Sequence, residues 1–118
     1  MVSNKKAILI IDDDLGISRT FSRILEKNGY VTDTAKTGKE AIEKAKTKAY
    51  AAALIDMRLP DFDGNTLIAK LPKKNLVKIV ITGFPLLAQE TKADACLLKP
   101  VKAQDLLSTL REILESKS

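Results

Sequence analysis

Four short apolar runs of this 118-residue chain end in side chains that can do chemistry: Asp12-Asp13 (with Asp14 behind them), Asp56, Thr82 and Lys99. Each has a plain explanation when taken singly. An acidic triplet can cap a helix, an aspartate can open a turn, a threonine can cap a loop, and a lysine before proline can sit in solvent. Taken together, acid, acid, hydroxyl and lysine at the ends of successive runs are hard to credit to turn chemistry. Two carboxylates about 4 Å apart repel by roughly 4 kcal/mol at an effective dielectric near 20. If Asp12, Asp13 and Asp56 meet, Lys99 offsets only one of three negative charges, so the cluster calls for a cation. The chain holds no histidine, and a few carboxylates suit Mg²⁺ (or Mn²⁺), which keeps waters and shares phosphate oxygens. A calcium cage needs more oxygen ligands than these residues offer. A hard divalent cation, a lysine and a hydroxyl around one carboxylate are the parts for in-line phosphoryl transfer onto that carboxylate.

The elements that must position these residues can be read from hydrophobic period. Ala7 to Ile11 is a continuous apolar run, the pattern of a parallel strand buried on both faces. Ile17, Phe21, Ile24 and Leu25 then recur at helical spacing, and Gly29 stands where a helix C-terminal glycine belongs. A second strand is expected over Tyr30 to Thr34. Thr37 and Glu40 form a capping box that opens a helix through Ala41, Ile42 and Ala45. Strands follow at Ala51 to Ile55, Leu76 to Ile81 and Ala95 to Leu98. Between the first two of these, the breaker-rich turn 60–64 leads into a short helix with Leu67, Ile68 and Leu71. A weak helix is expected around Leu86 to Lys92. The last helix is the clearest, with Leu106, Leu107, Leu110, Ile113 and Leu114 at a 3.6-residue period. Five strand–helix units with no internal repeat mean an α/β open parallel sheet with right-handed crossovers. Ligands of such sheets bind beyond the carboxyl ends of the strands. Asp12, Asp13, Asp56, Thr82 and Lys99 should therefore share one rim.

Composition narrows the class. A chain of this length is one domain, 1–118, with tails at about 1–5 and 116–118, and it can build a core without disulfides or structural metal. The content of 45% hydrophobic and 30% charged residues is that of a globular protein rather than a disordered one. Cys96 is the only cysteine, which excludes an internal disulfide and fits a reducing compartment. No signal peptide and no membrane-length apolar run is present, so a cytoplasmic location without a membrane partner is expected. The net charge of +5 is spread over scattered lysines with few aromatics, which does not make a nucleic-acid motif. The lack of histidine means that any phosphohistidine must come from a partner.

The segments Ile-Ile-Asp-Asp-Asp (10–14), Leu-Ile-Asp-Met-Arg-Leu-Pro-Asp-Phe-Asp-Gly (54–64), Ile-Thr-Gly (81–83) and Leu-Lys-Pro (98–100) resemble, in order, the four signatures of response-regulator receiver domains, the chemotaxis-regulator-like switches of two-component signalling. The resemblance covers nearly the whole chain. It implies a doubly wound five-stranded sheet of order 2-1-3-4-5 in a flavodoxin-like three-layer sandwich. It also implies a phosphoprotein that catalyses only its own phosphorylation and autodephosphorylation. Carried over by position, Asp56 resembles the phosphoacceptor, Asp13 the direct Mg²⁺ ligand and Asp12 the acid that holds the metal through water. The backbone carbonyl of Arg58 matches the remaining protein ligand. Thr82 and Lys99 resemble the hydroxyl and the lysine that bind the phosphoryl oxygens, and Asp14 fits a helix cap. The implied donor is a sensor histidine kinase, a histidine phosphotransfer protein or acetyl phosphate. The implied output runs through the helix 4–strand 5–helix 5 face of a monomer or weak dimer, either standing alone or as part of a longer chain.

The chain departs from the family at the switch. Cys96 stands where an aromatic ring usually moves with the threonine, and Val101 follows Lys-Pro in place of phenylalanine. The stretch from Thr82 to Lys99 is short, which implies a truncated or irregular fourth helix. Phe84, two residues after Thr82, is placed to take over the tuning role. Two other readings compete. A haloacid-dehalogenase-like phosphatase would use Asp12 as nucleophile and Asp14 as acid, but Leu15-Gly16 follow and paired acids are lacking after Lys99. A receiver-fold docking module would dispense with phosphorylation.

Overall fold

Alternation along five short strands divides the apolar residues of this chain between two layers. The computed structural model describes residues 5–84 and 92–116. Its strands are β1 (Ala7–Ile11), β2 (Val31–Ala35), β3 (Ala52–Asp56), β4 (Val77–Thr82) and β5 (Ala95–Leu98). Its helices are α1 (Leu15–Lys27), α2 (Gly38–Thr47), α3 (Gly64–Lys70) and α4 (Ala103–Ser116). The helix expected around 86–92 falls, apart from Lys92, outside the described residues, so α4 is the fifth helix of the sequence reading. All strand pairs are parallel, in the order β2-β1-β3-β4-β5. This is the five-stranded doubly wound sheet that the resemblance implied.

Ile8 and Ile10 of β1 pack with Leu54, Ile79 and Ile81 against Phe21 and Leu25 of α1 and Leu106, Leu110 and Leu114 of α4. Leu9 and Ile11 point the other way, with Ala53, Ile55 and Val80, onto Ala41 of α2, Leu67 and Ile68 of α3 and its C-cap residue Leu71. Helices on both faces of the sheet explain why β1, β3 up to Asp56 and the Ile79–Ile81 stretch of β4 read as apolar runs. Three strands begin one residue later than the hydrophobic pattern suggests. Tyr30, Ala51 and Leu76 are apolar entry residues that pack on the two cores, while the ladder proper starts after them.

Local signals hold at the helix ends. Gly29, with φ of 92°, follows the Asn28 cap of α1 in a conformation that favours glycine. Thr37 accepts the Glu40 N–H at 3.1 Å, but the Glu40 carboxylate reaches the N–H of Lys36 rather than that of Thr37. Half of the expected capping box is thus displaced by one residue. Other ties are long-range. Asp61, in the β3–α3 loop, accepts the Gly38 and Lys39 N–H groups at 2.8 and 2.9 Å and so caps α2 from 22 or more residues away. Asp33 of β2 accepts from the Tyr50 hydroxyl at 2.7 Å and pairs with Lys48 at 2.9 Å, clamping the edge strand to the α2–β3 connection.

The β3–α3 loop closes tightly on itself. The Gly64 N–H donates to the Met57 carbonyl at 3.1 Å, and Arg58 bridges Asp63. A Cβ at Gly64 would lie 2.3 Å from Met57 Sδ and 3.2 Å from Met57 Cα. The thioether can swing away but the backbone cannot, so Gly64→Ala is expected to destabilise the fold by about 1–3 kcal/mol. Urea denaturation read by circular dichroism measures this, and an unchanged midpoint would show that the loop relaxes freely.

Candidate phosphoryl-transfer site

The parallel register brings the chemical residues to one edge. Ile11 lies opposite Ile55, Asp56 opposite Ile81, and Thr82 opposite Leu98. The residues that end or directly follow these strands, Asp12, Asp56, Thr82 and Lys99, therefore stand side by side at the carboxyl rim. Asp13 joins them: one carboxylate oxygen from each of Asp12, Asp13 and Asp56 lies within 4.8 Å of the other two. Lys99 Nζ stands 3.9 Å from both Asp12 Oδ2 and Asp56 Oδ1. The peptide between Lys99 and Pro100 is cis.

Burial differs across the cluster. Asp12 is 4% exposed, whereas Asp13 faces solvent. Burial pushes the Asp12 carboxyl up to about 6, opposed by a hydrogen bond from the Asp14 N–H and reinforced by the charge of Asp56. Lys99 pulls in the other direction, and Asp13 adds a smaller push upward. One lysine thus leaves the acids short of positive charge. Donor type and spacing fit a hard divalent cation shared by the three carboxylates. Asp56 is held in place by the Arg58 N–H, which donates to its Oδ1 at 3.1 Å. Thr82 is 2% exposed, and its hydroxyl accepts the Phe84 N–H at 3.1 Å.

Asp14 stays out of the cluster. Its Oδ1 accepts the N–H groups of Gly16 and Ile17 at 2.8 and 3.2 Å, as the N-cap of α1. A phosphatase using Asp12 and Asp14 as a catalytic pair would need that carboxylate at the rim, where it is not. Cys96 is half-buried in the layer shared with α2 and α3, opposite Val80 and on the face of β4 that carries Thr82. Burial raises its thiol pKa, so it is a small, protonated filler there.

Arg58 does more here than lend the backbone carbonyl that the resemblance implies. Its guanidinium stacks on the ring of Phe84, 3.9 Å from the centroid, joining the β3–α3 loop to the residues after β4 across the edge of the site. Phe84 is 45% exposed. An exposed phenylalanine directly after Thr-Gly was the only hint in the sequence, and nothing there paired it with Arg58.

The comparisons agree with this geometry. The family model of the response regulator receiver domain matches residues 8–111. The chain is 32% identical over 117 residues to the acid tolerance regulatory protein ActR of Rhizobium meliloti, covering 93% of this chain and 60% of that protein. It is 28% identical to the CpxR homolog of Haemophilus influenzae, a transcriptional regulatory protein, covering 91% and 49%. The chain thus spans about half the length of these curated relatives. Among solved structures, a CheY-like receiver domain protein from Methanospirillum hungatei superposes with a TM-score of 0.89 at 34% identity, covering 97% of each chain.

The raised Asp12 pKa has a signed consequence for the metal-free protein. Between pH 3.8 and about 6 the folded state holds a proton that the unfolded state has released, so stability falls as pH rises through that window and is level above it. Asp12→Asn, whose amide oxygen can still accept the Asp14 N–H, should match the parent near pH 4 and exceed it above pH 6. Chemical denaturation in EDTA across pH 4–7 tests this, and parallel curves would refute the assignment.

Proposed function

The chain belongs to the response-regulator receiver domain family, and from that membership we propose that it accepts a phosphoryl group on Asp56 from a phosphohistidine and changes its partner binding as a result. The donor in this reading is a sensor histidine kinase or a histidine phosphotransfer protein. The observation that carries it is the cluster of Asp12, Asp13 and Asp56 oxygens within 4.8 Å, with Lys99 3.9 Å from two of the three acids.

In the reaction, an Asp56 oxygen attacks phosphorus as the phosphorus–nitrogen bond to the imidazole breaks, and the electron pair of that bond leaves on the ring nitrogen. Oδ1 is engaged by the Arg58 N–H and Lys99, so we assign attack to Oδ2. Mg²⁺ or Mn²⁺, held by Asp13, by Asp12 through water, by Asp56 and by the Arg58 carbonyl, would supply charge neutralisation at the transferring group. Lys99, whose ammonium stands 3.9 Å from Asp56 Oδ1, would receive a phosphoryl oxygen. The Thr82 hydroxyl, already accepting from Phe84, still has its own proton to donate to another. Hydrolysis of the acyl phosphate resets the domain, and no other turnover is assigned to it.

Modification takes the charge at Asp56 from about −1 towards −2 and draws on Thr82 and Lys99. A buried ring at position 96 would sense that movement, but Cys96 offers little bulk. The Arg58–Phe84 stack is better placed, because it touches both loops that flank the acceptor. Output then passes to a downstream protein through the face of β5, α4 and the helix that precedes β5 in the family. A cytoplasmic monomer or weak dimer without direct nucleic-acid contact remains the expectation. No helix among the described residues is long and apolar enough to cross a membrane.

Incubation with acetyl phosphate and Mg²⁺, followed by mass spectrometry, should find one phosphoryl group, mapped to Asp56. Asp56→Asn should abolish it with the fold intact, and a group mapped to Asp12 would instead favour the phosphatase chemistry. Mg²⁺ titration should show Asp13→Ala weakening binding by about tenfold or more, while Asp14→Ala loses helix stability but keeps the metal. Equal loss in both variants would contradict the division of the triplet. Finally, Arg58→Ala and Phe84→Ala should each speed autodephosphorylation, by roughly fivefold for a contact of about 1 kcal/mol. The double variant should be no faster than either single one. Cys96→Ala should leave the rate and the phosphorylation-induced NMR shifts unchanged; loss of those shifts in Cys96→Ala, with Phe84→Ala silent, would sink the idea.

A further inference from the structure

The end of the sheet opposite the phosphoryl site concentrates charge of the other sign. Lys6 precedes β1, Lys78 lies at the start of β4 and Asp94 precedes β5. Together with Lys73, Lys74 and Lys92 they line a cleft of about 800 Å³. The wall thus carries five lysines and one aspartate. Its frame is built rather than loose. Lys78 is 7% exposed, and its ammonium donates to the Pro72 carbonyl. The Lys78 N–H donates to Asp94 Oδ2 at 2.8 Å, and the Asp94 N–H returns to the Lys78 carbonyl at 2.8 Å. Asn75, with φ of 63°, turns the chain between α3 and β4 so that Lys73 and Lys74 stand on the cleft. Lys92 is placed by its N–H, which donates to Asn65 Oδ1 at 3.1 Å.

On the α2 side of the molecule, Lys44 pairs with Glu40 and Lys48 with Asp33. Lys6, Lys73, Lys74 and Lys92 form no ion pair with a carboxylate among the described residues. Converging ammonium groups repel one another, and a bound anion removes that repulsion. The lining has no aromatic ring and no arginine, so it offers neither a stacking platform for a base nor a planar fork for a carboxylate. Lysine is a compact point charge suited to phosphate, and the volume is that of a small-molecule site rather than a macromolecular face.

We propose that this cleft binds a small anion carrying two or more adjacent phosphate groups, held chiefly by Lys73, Lys74 and Lys92 with Lys6 and Lys78 at its margins. A soluble polyphosphorylated metabolite and a phosphorylated lipid headgroup share that chemistry. The site stands apart from Asp56 and does not depend on the phosphorylation reading.

The test is a ¹⁵N–¹H shift titration of the full chain with inorganic tripolyphosphate, in Mg²⁺-free buffer at constant ionic strength. Saturable shifts confined to residue 6, 73–78 and 92–94 are expected. The Lys73→Ala/Lys74→Ala pair should weaken binding by about tenfold or more, with an unchanged thermal midpoint, whereas Lys36→Ala/Lys39→Ala should leave it intact. Cosedimentation with phosphatidylcholine vesicles containing phosphatidylinositol bisphosphate, displaced by tripolyphosphate, would assign the anion to a lipid. Tripolyphosphate binding without vesicle binding would assign it to a soluble ligand. Shifts that do not saturate, shifts spread over residues 36–48, or full affinity in the Lys73/Lys74 variant would overturn the proposal. So would displacement by a single-stranded oligonucleotide that binds the same residues more tightly.

Discussion

Three carboxylates held within 4.8 Å against a single lysine are the constraint around which this molecule is arranged. Such a cluster is repulsive without a cation, and burial of Asp12 increases the cost, as its pKa of about 6 records. The parallel sheet bears that cost because its central strands are buried on both faces. β1, β3 and β4 are tied by register to their neighbours, so the strand ends cannot splay to separate the charges. Stability is thereby exchanged for a rim where like charges are held together, a common pattern at functional sites.

The loops that leave the rim show the same division between rigidity and adjustment. The β3–α3 loop is locked by the contact of Gly64 with Met57 and by the Asp61 cap on α2. Arg58 emerges from that locked frame, so its backbone N–H can fix Asp56 while its side chain reaches across to Phe84. On the β4 side, among the described residues, the Thr82–Phe84 hydrogen bond and that stack restrain the chain immediately after the strand. Asp56 is thus held by a fixed frame on one side and bordered by a more lightly tied segment on the other.

Much of this was legible in the residue order. Hydrophobic period located all four described helices and placed every strand to within one residue, most plainly β1 and β3, where burial on two faces leaves apolar runs. The caps at Asp14 and Gly29 were equally plain, being local contacts between residues a few positions apart. That Asp12, Asp13, Asp56, Thr82 and Lys99 share one rim could be expected because they end or closely follow strands, and the strand ends of a parallel sheet share an edge.

Tertiary structure alone decided what depends on residues far apart in the chain meeting through the crossovers. That Asp61 rather than a nearby residue caps α2, that Tyr50 and Lys48 hold Asp33, and that Arg58 stacks on Phe84 follow from loop trajectories that no period encodes. The displaced arm of the capping box at Glu40 is of the same kind. The elevated Asp12 pKa likewise needs the depth of its burial, and the five-lysine cleft needs strand starts, a left-handed turn at Asn75 and Lys92 drawn to Asn65. Sequence determined which side chains lie on which face and at which end of the sheet. The fold decided which of them become neighbours, because proximity across a doubly wound sheet is set by strand order and register, and the energies of charges and rings depend on that distance.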